Sequence, residues 1–575
     1  MNKFLAGLLS LACLGVLELS SCKSVKKIDT SNILTDSASI ASGQNIFTMQ
    51  CSPCHTFKQD GIGPQLGGLT LEKDGDWIKQ FIHNPAQLIA SGDPEAKLLL
   101  TKYRVMMPAF TTFSPDELDD LLAYMNIHPK PVFVDSSGIK PIDNPIPDTI
   151  PFSGLIADLE FIAQFPATSD TGKLPLTRIT KLDYESRSAT NYVLDLRGKL
   201  YKMQGSEPVL YMDMIKWRPN FIHQPGLATG FGSFAFHPEF AQNGLLYTTH
   251  TEPPKTAKAD FEFEDSIRVL LQWIVMEWKV DRPGSPSFSG KGRELMRVNV
   301  ESGIHGMQEI TFNPTARPGD EDYGLLYIGI GDGGAVEHGF PFVAHSLNRI
   351  WGTVIRIDPA GKNSRNGQYG IPASNPFVHN ADSSTVKEIY AYGFRNPHRI
   401  TWSQSGQMLV SNVGHFNIES LNLILPGHDY GWPIREGTFL VNAYANLKIV
   451  YPLPPDDSVY KVTYPVAQYD HGEGNAISGG YEYQGSAVPE FKGKFLFGDI
   501  LIGKLFYVDM ADIQLGKQAP IKRWRVRLNG EVKTLRELCG TDRIDLHFGR
   551  DARGELYIMT KGDGKLYKLK GATEQ

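Results

Sequence analysis

Cys51-Ser52-Pro53-Cys54-His55 decides how the first part of this chain is read. Two thiols two residues apart, followed at once by a histidine, form the attachment signature of a c-type haem. The thiols reach the two vinyl groups on one porphyrin edge, and His55 then lies beneath the ring with a nitrogen aimed at the iron. A Cys-x-x-Cys pair also serves as a redox dithiol or as half a zinc site. The sequence has no second cysteine pair to complete a zinc site, and no thioredoxin-like pattern surrounds this one.

Downstream, a haem iron needs a sixth ligand, and a methionine thioether is the soft choice that raises the reduction potential. The chain supplies Arg104-Val105-Met106-Met107-Pro108-Ala109-Phe110. Together with Gly61-Ile62-Gly63-Pro64-Gln65-Leu66, this stretch resembles a small class I cytochrome c. The resemblance makes Met107 the distal ligand, with Met106 as the neighbouring alternative, and gives the Pro64 carbonyl the task of orienting His55. Apolar spacing predicts a helix from near Ser39 and a second over 76–82, ended before Pro85. Ser114-Pro115-Asp116-Glu117 opens a third, with a capping serine, proline in the first turn and acids at the positive dipole end. Residues 38–128 therefore read as an all-α haem domain.

Before it, Met1 to Leu19 opens with Lys3 and an apolar run too short and interrupted to span a membrane, as a secretory signal does. Leu19-Ser20-Ser21-Cys22 resembles a bacterial lipobox. That resemblance implies a signal over 1–21, a diacylated Cys22 anchoring the chain at the periplasmic face of a membrane, and a polar tether over 22–37. A plain signal peptide with an incidental cysteine is the alternative. With Cys13 lost and Cys22, Cys51 and Cys54 committed, only Cys539 remains, so there is no disulfide framework. The formal charge of −6 gives no hint of nucleic-acid binding, and none is expected.

Prolines stud the stretch from Pro129 to Pro151, and 129–172 reads as a semi-rigid linker. Beyond it a turn-strand phrase recurs, as in Gly198-Lys199-Leu200-Tyr201, Gly324-Leu325-Leu326-Tyr327 and Gly564-Lys565-Leu566-Tyr567. Glycine turns feeding short strands at long, irregular intervals suggest a β-propeller, with a pair of β-sandwiches as the alternative. Residues 273–280 alternate as one clear strand.

Phe234-Ala235-Phe236-His237-Pro238-Glu239-Phe240, Gly329-Ile330-Gly331-Asp332-Gly333-Gly334, Gly393-Phe394-Arg395-Asn396-Pro397-His398 and Asp429-Tyr430-Gly431-Trp432-Pro433 resemble the soluble quinoprotein glucose/sorbosone dehydrogenase family. The resemblance implies a six-bladed all-β propeller over 173–571, holding pyrroloquinoline quinone (PQQ) on its axis above calcium (Ca2+). It implies His305 as the base taking the substrate's hydroxyl proton, and Asp332 as the partner fixing its tautomer. It assigns Arg395, Asn396, Gln484 and Lys504 to the quinone, the last two where relatives carry lysine and arginine. It assigns Gly414, His415 and Glu419 to the calcium. The expectation is an exported, lipid-anchored quinohaemoprotein. It would oxidise a sugar or related alcohol, reduce its own haem c, and pass electrons to a respiratory acceptor. The alternative is a non-catalytic carbohydrate- or protein-binding propeller tethered to an electron-transfer cytochrome.

Overall fold

The computed structural model of the chain describes residues 28–103, 105–133, 138–172, 174–224 and 228–575. The leader, Cys22 and the first part of the tether lie outside the described residues.

The N-terminal unit is helical. Ser37–Ile46 starts two residues earlier than its apolar stripe suggests, because Asp36 accepts the amides of Ala38 and Ser39. It runs on as a π-helical turn, Phe47–Cys51, which delivers the first haem-binding cysteine. Gly75–His83 begins on Asp74, and Pro115–Asn126 begins on the expected Ser114, with Glu117 closing a capping box. Pro85–Ala90 and Pro94–Tyr103 are helices the periodicity did not reveal. Pro85 both ends one helix and opens the next, and the second role is silent in an apolar pattern. Phe47, Ile78, Ile82, Leu121, Leu122 and Met125 form the buried core of this unit.

Strand pairing resolves the rest into six four-stranded antiparallel blades. Their first strands are Ile179–Glu185, Phe231–Phe236, Glu309–Phe312, Pro397–Trp402, Tyr481–Glu482 and Leu546–Arg550. Each touches the first strand of the next blade, and the last returns to the first where Leu182 pairs with Gly549. The ring is closed. These strands are short and buried because they line the axis, whereas outer strands such as Leu271–Val280 run longer.

The Pro-rich linker ends sooner than expected. Phe152–Gln164 is not linker but the outermost strand of the sixth blade, antiparallel to Lys565–Glu574 and parallel to Lys522–Leu528. Joining a strand from before the ring to strands at its end latches the propeller without an open edge. The remaining linker lies along the propeller: Ile142 bridges Val450, and the Ile150 amide donates to Glu473 at 2.8 Å.

The fourth blade carries an insertion between Ile418–Leu423 and Ala467–Asp470, folded as a small sheet of Arg435–Glu436, Phe439–Val441 and Val450–Tyr451. It joins the two units. The Leu447 amide donates to Gln59 Oε1 at 3.2 Å, Gln59 Nε2 donates to the Ala445 carbonyl, and Lys448 pairs with Asp60. Burial pushes the Asp60 carboxyl up, but Lys448, the Tyr103 hydroxyl and the Gln65 amide outweigh it and hold the group below its usual value. A depressed carboxylate stabilises the folded state above its unfolded pKa, and that contribution fades as pH falls through the folded value. Asp60→Asn, which strands Lys448, is therefore expected to lower the unfolding midpoint at neutral pH and to flatten its acid dependence below about pH 4. Calorimetry across pH checks both.

Candidate functional site

The haem motif lies in a cleft of about 330 Å³ lined by Cys51, Cys54, His55, Leu66, Phe81 and Met107 among others. His55 Nδ1 is 2.8 Å from the Pro64 carbonyl oxygen. Donation from Nδ1 leaves the opposite ring nitrogen bare for a metal. The loop must come this close: a Cβ at Gly63 would stand 2.3 Å from the His55 ring. Of the paired methionines, Met107 lines the cleft while Met106 is 42% exposed. Two thiols, an oriented imidazole and a thioether in one apolar cleft fit a covalently bound haem. Met107→Ala is expected to lower the haem midpoint potential and to let exogenous imidazole bind, both visible in a redox titration.

In the propeller, the loop entering each blade's first strand and the loop leaving its second lie at the same end of the ring, because those strands are antiparallel. His305, Arg395 and Asn396 come from entering loops of the third and fourth blades, and Asp332, Gly414 and His415 from leaving loops. The topology gathers all six at one end.

His305 Nδ1 lies 2.6 Å from Asp332 Oδ1, and both residues are buried. Asp332 is fixed in turn: the Gly334 amide donates to Oδ1 at 2.9 Å and Trp432 Nε1 to Oδ2 at 3.0 Å. With Nδ1–H donating to the carboxylate, Nε2 is the free acceptor. His305 also holds a φ of 53°, a left-handed conformation unusual outside glycine, which concentrates at functional positions.

Beside this pair stands a cluster absent from the sequence reading. Glu337 accepts from Arg395 Nη2 and lies 3.3 Å from His415 Nδ1, while Arg395 Nη1 donates to the Gly414 carbonyl. Burial pushes the Glu337 carboxyl up, but Arg395 and His415 overcome it and hold the group well below the ordinary range. Glu436, from the insertion, braces the loop by accepting the amides of His415, Phe416, Asn417 and Ile418 on Oε1. Neither acid sits in a local motif: Glu337 lies in a turn and Glu436 at the end of the short strand Arg435–Glu436.

The other expectations diverge. Gln484 sits in the loop between the fifth blade's first and second strands, at the opposite end of the ring, packed against Gly554. It is no neighbour of His305, and its assignment to a quinone is corrected. Lys504 is at the right end but pairs with Glu473. Two of the three residues assigned to calcium are already engaged. The Gly414 carbonyl receives Arg395, and Glu419 accepts the Gly414 and Ile477 amides at 3.2 and 2.9 Å and lies 3.1 Å from His471 Nε2. Among the described residues no cluster of three or more histidine, cysteine or carboxylate side chains is set to hold a metal ion. The groups as placed do not fit calcium. They do fit an anionic, flat guest: Arg395 Nε, Arg178 Nε and His415 Nε2 are buried without a protein partner. Burial, with Arg543 and Arg197 nearby, pushes Arg178 down to about 10 against the pull of Asp545 and Asp195.

The cytochrome loop rests on this end. A Cβ at Gly61 would stand 3.0 Å from Glu337 Oε2 and 3.2 Å from the Cys54 carbonyl oxygen. Cys54 itself is within electrostatic reach of Arg543 and Glu337.

Two family models match the chain: Cytochrome c over residues 40–127, and Glucose / Sorbosone dehydrogenase over residues 197–568. Among curated relatives, HIPL2 protein of Arabidopsis thaliana is 28% identical over 48% of this chain and 43% of its own. Quinoprotein glucose dehydrogenase B of Acinetobacter calcoaceticus is 24% identical over 37% of this chain and 42% of its own. The chain thus spans less than half the length of these curated relatives. The solved PQQ-bound aldose sugar dehydrogenase of Streptomyces coelicolor superposes with a TM-score of 0.48 at 17% identity, over 74% of this chain and 100% of that one. With the second model covering well over half of its residues, the chain belongs to the glucose/sorbosone dehydrogenase family, carried behind a cytochrome c domain.

Proposed function

We propose that the propeller oxidises a sugar or related alcohol and that the electrons pass to the haem of the same chain. The observation that carries this is the placement of the haem-attachment loop: Gly61 lies against Glu337, which itself holds Arg395 beside the His305–Asp332 pair.

His305 Nε2 takes the proton of the reacting hydroxyl. Asp332 keeps the imidazole in the tautomer that can do so and stabilises the cation that forms, as Trp432 holds the carboxylate in line. Arg395, Asn396 and Arg178 would hold PQQ at the end of the ring that carries His305, the two arginines through Nε donors that lack protein partners. When bound there, the quinone supplies the acceptor for the hydride leaving the sugar carbon. Glu337 keeps the Arg395 guanidinium aimed, and the docked cytochrome loop limits water at this end. Because the two redox units share one chain and one interface, the transfer needs no diffusional encounter.

The test is direct. Protein loaded with PQQ is mixed with a panel of aldoses and the haem spectrum followed; sugar-dependent haem reduction supports the reading, and its absence with every aldose overturns it. We also place the chain at a membrane through a lipid on Cys22, which Cys22→Ala should release in acyl-labelling experiments.

One observation favours a binding propeller instead. Arg395, Gly414 and Glu337 are engaged with one another, satisfying groups that a quinone site would otherwise present. Ligand binding without any haem response would be the mark of that reading.

A further inference from the structure

Oxidising one alcohol to its carbonyl breaks a C–H and an O–H bond, forms the second carbon–oxygen bond, and releases two electrons and two protons. The proposed route gives the electrons to the haem, but it leaves the protons at the end of the ring covered by the cytochrome loop. The axis offers them a way out.

His398 is the second residue of Pro397–Trp402 and His547 the second of Leu546–Arg550, the first strands of the fourth and sixth blades. The fifth blade stands between them, yet their ring centroids are 5.6 Å apart with the planes tilted by 47°, so the two rings meet inside the axis. They are 5% and 1% exposed, and none of their four ring nitrogens has a protein partner. Buried polar atoms in native proteins are almost always paired, and where protein does not pair them, ordered water does. His305 acts electrostatically on His398, so the base is close by. Lys561 also faces this region. Burial pushes it down to about 7 against the pull of Asp545, with Arg178, Arg399 and Arg543 pushing the same way as burial.

Further along, polar groups continue across the axis. Arg399 Nη2 donates to the Thr180 carbonyl at 2.6 Å and Nη1 to the Gln308 carbonyl at 3.0 Å, and Lys181 pairs with Glu309. Past them the far end opens into a cavity of about 340 Å³ whose lining includes Lys181, Asp183, Glu309, Tyr481 and Arg550. Polar groups therefore run from His305 to the face opposite the cytochrome.

We propose that the propeller axis is the proton exit: water held between His398 and His547 receives the proton from His305 and passes it through the Lys181–Glu309 region to the far cavity. At each imidazole one N–H bond forms as the other breaks, which leaves the proton on the opposite ring nitrogen; return of that tautomer through the bridging water resets the ring before the next passage, and no co-reactant is needed. His398 and His547 act here through His305 and do not touch the substrate. The inference rests on the dehydrogenase reading above.

The test uses the full chain loaded with PQQ. His398→Phe and His547→Phe keep an aromatic ring, one atom larger, and remove the polar atoms. Each is expected to slow sugar-driven haem reduction at least about tenfold and to raise its solvent deuterium isotope effect. Proton release to an indicator dye should lag, while ascorbate still reduces the haem at the wild-type rate. His547→Gln, which can still hold a water, should recover much of the loss. Asp183→Asn at the far cavity, a milder change that spares the core, should slow proton release about threefold. A high-resolution crystal structure of the wild type should show ordered water between the two rings. A dry axis, or Phe variants with unchanged rates and isotope effects in an enzyme that turns over, overturns the exit alone. A wild type that no sugar can drive overturns the exit together with the reading beneath it.

Discussion

His305→Ala is expected to lower sugar-driven haem reduction by about 10²–10⁴-fold, the range general-base removal costs. The expectation follows from what surrounds the ring. Asp332 lies 2.6 Å from Nδ1, Gly334 and Trp432 hold Asp332 by its two oxygens, and the backbone at His305 adopts a φ of 53°. A histidine needed only for packing would not require a doubly anchored carboxylate. Asp332→Asn should cost a comparable factor, because an amide can present its NH2 to Nδ1 and favour the wrong tautomer. Trp432→Phe, which frees one carboxylate oxygen, should cost less than either. In all three, ascorbate should reduce the haem as in the wild type, since the haem cleft is built from other residues. If His305→Ala turns over normally, the base lies elsewhere and the end of the ring that carries His305 has been misassigned.

Much of this was legible in the sequence, and the reasons differ by element. The haem motif, the Met107 loop and the Ser114 cap are local: a few adjacent residues carry both the signal and the geometry, and the structure places them as read. The His305–Asp332 pair was legible only through resemblance, because 27 residues of sequence separate two groups that a blade brings within hydrogen-bond distance. What escaped was long-range. Phe152–Gln164 reads as linker because its partners, Lys565–Glu574, lie at the far end of the chain. Glu337 and Glu436 carry no motif, and their partners are fixed by the ring and by an insertion without a periodic pattern. Gln484 failed for a simpler reason. Aligning words places a residue in sequence but does not say at which end of a blade its loop emerges, and a loop between first and second strands emerges away from the site.

Gly61→Leu should separate the two redox functions. The glycine lies where the cytochrome loop meets the propeller, and even a methyl group there would stand 3.0 Å from Glu337 Oε2 and 3.2 Å from the Cys54 carbonyl. Neither neighbour can yield easily: Glu337 is held by Arg395, and the Cys54 carbonyl accepts the Gly63 amide at 2.8 Å within the loop that positions His55. A leucine must therefore lift the loop from the propeller. The lift is local, because Gln59 with the Ala445–Leu447 segment and Asp60 with Lys448 still tie the units together. Displacing reacting partners by an ångström or so costs on the order of tenfold to a hundredfold in rate, and that loss is expected in sugar-driven haem reduction. Reduction of a small soluble dye that takes electrons from the propeller directly should stay near the wild-type rate, or rise as the covered end opens. The haem midpoint potential should hold, since Pro64 and Met107 are untouched. If haem and dye reduction fall together, the substitution has damaged the dehydrogenase itself. If neither changes, electrons do not cross at Gly61, and the contact between the haem loop and Glu337 serves only to dock the domains.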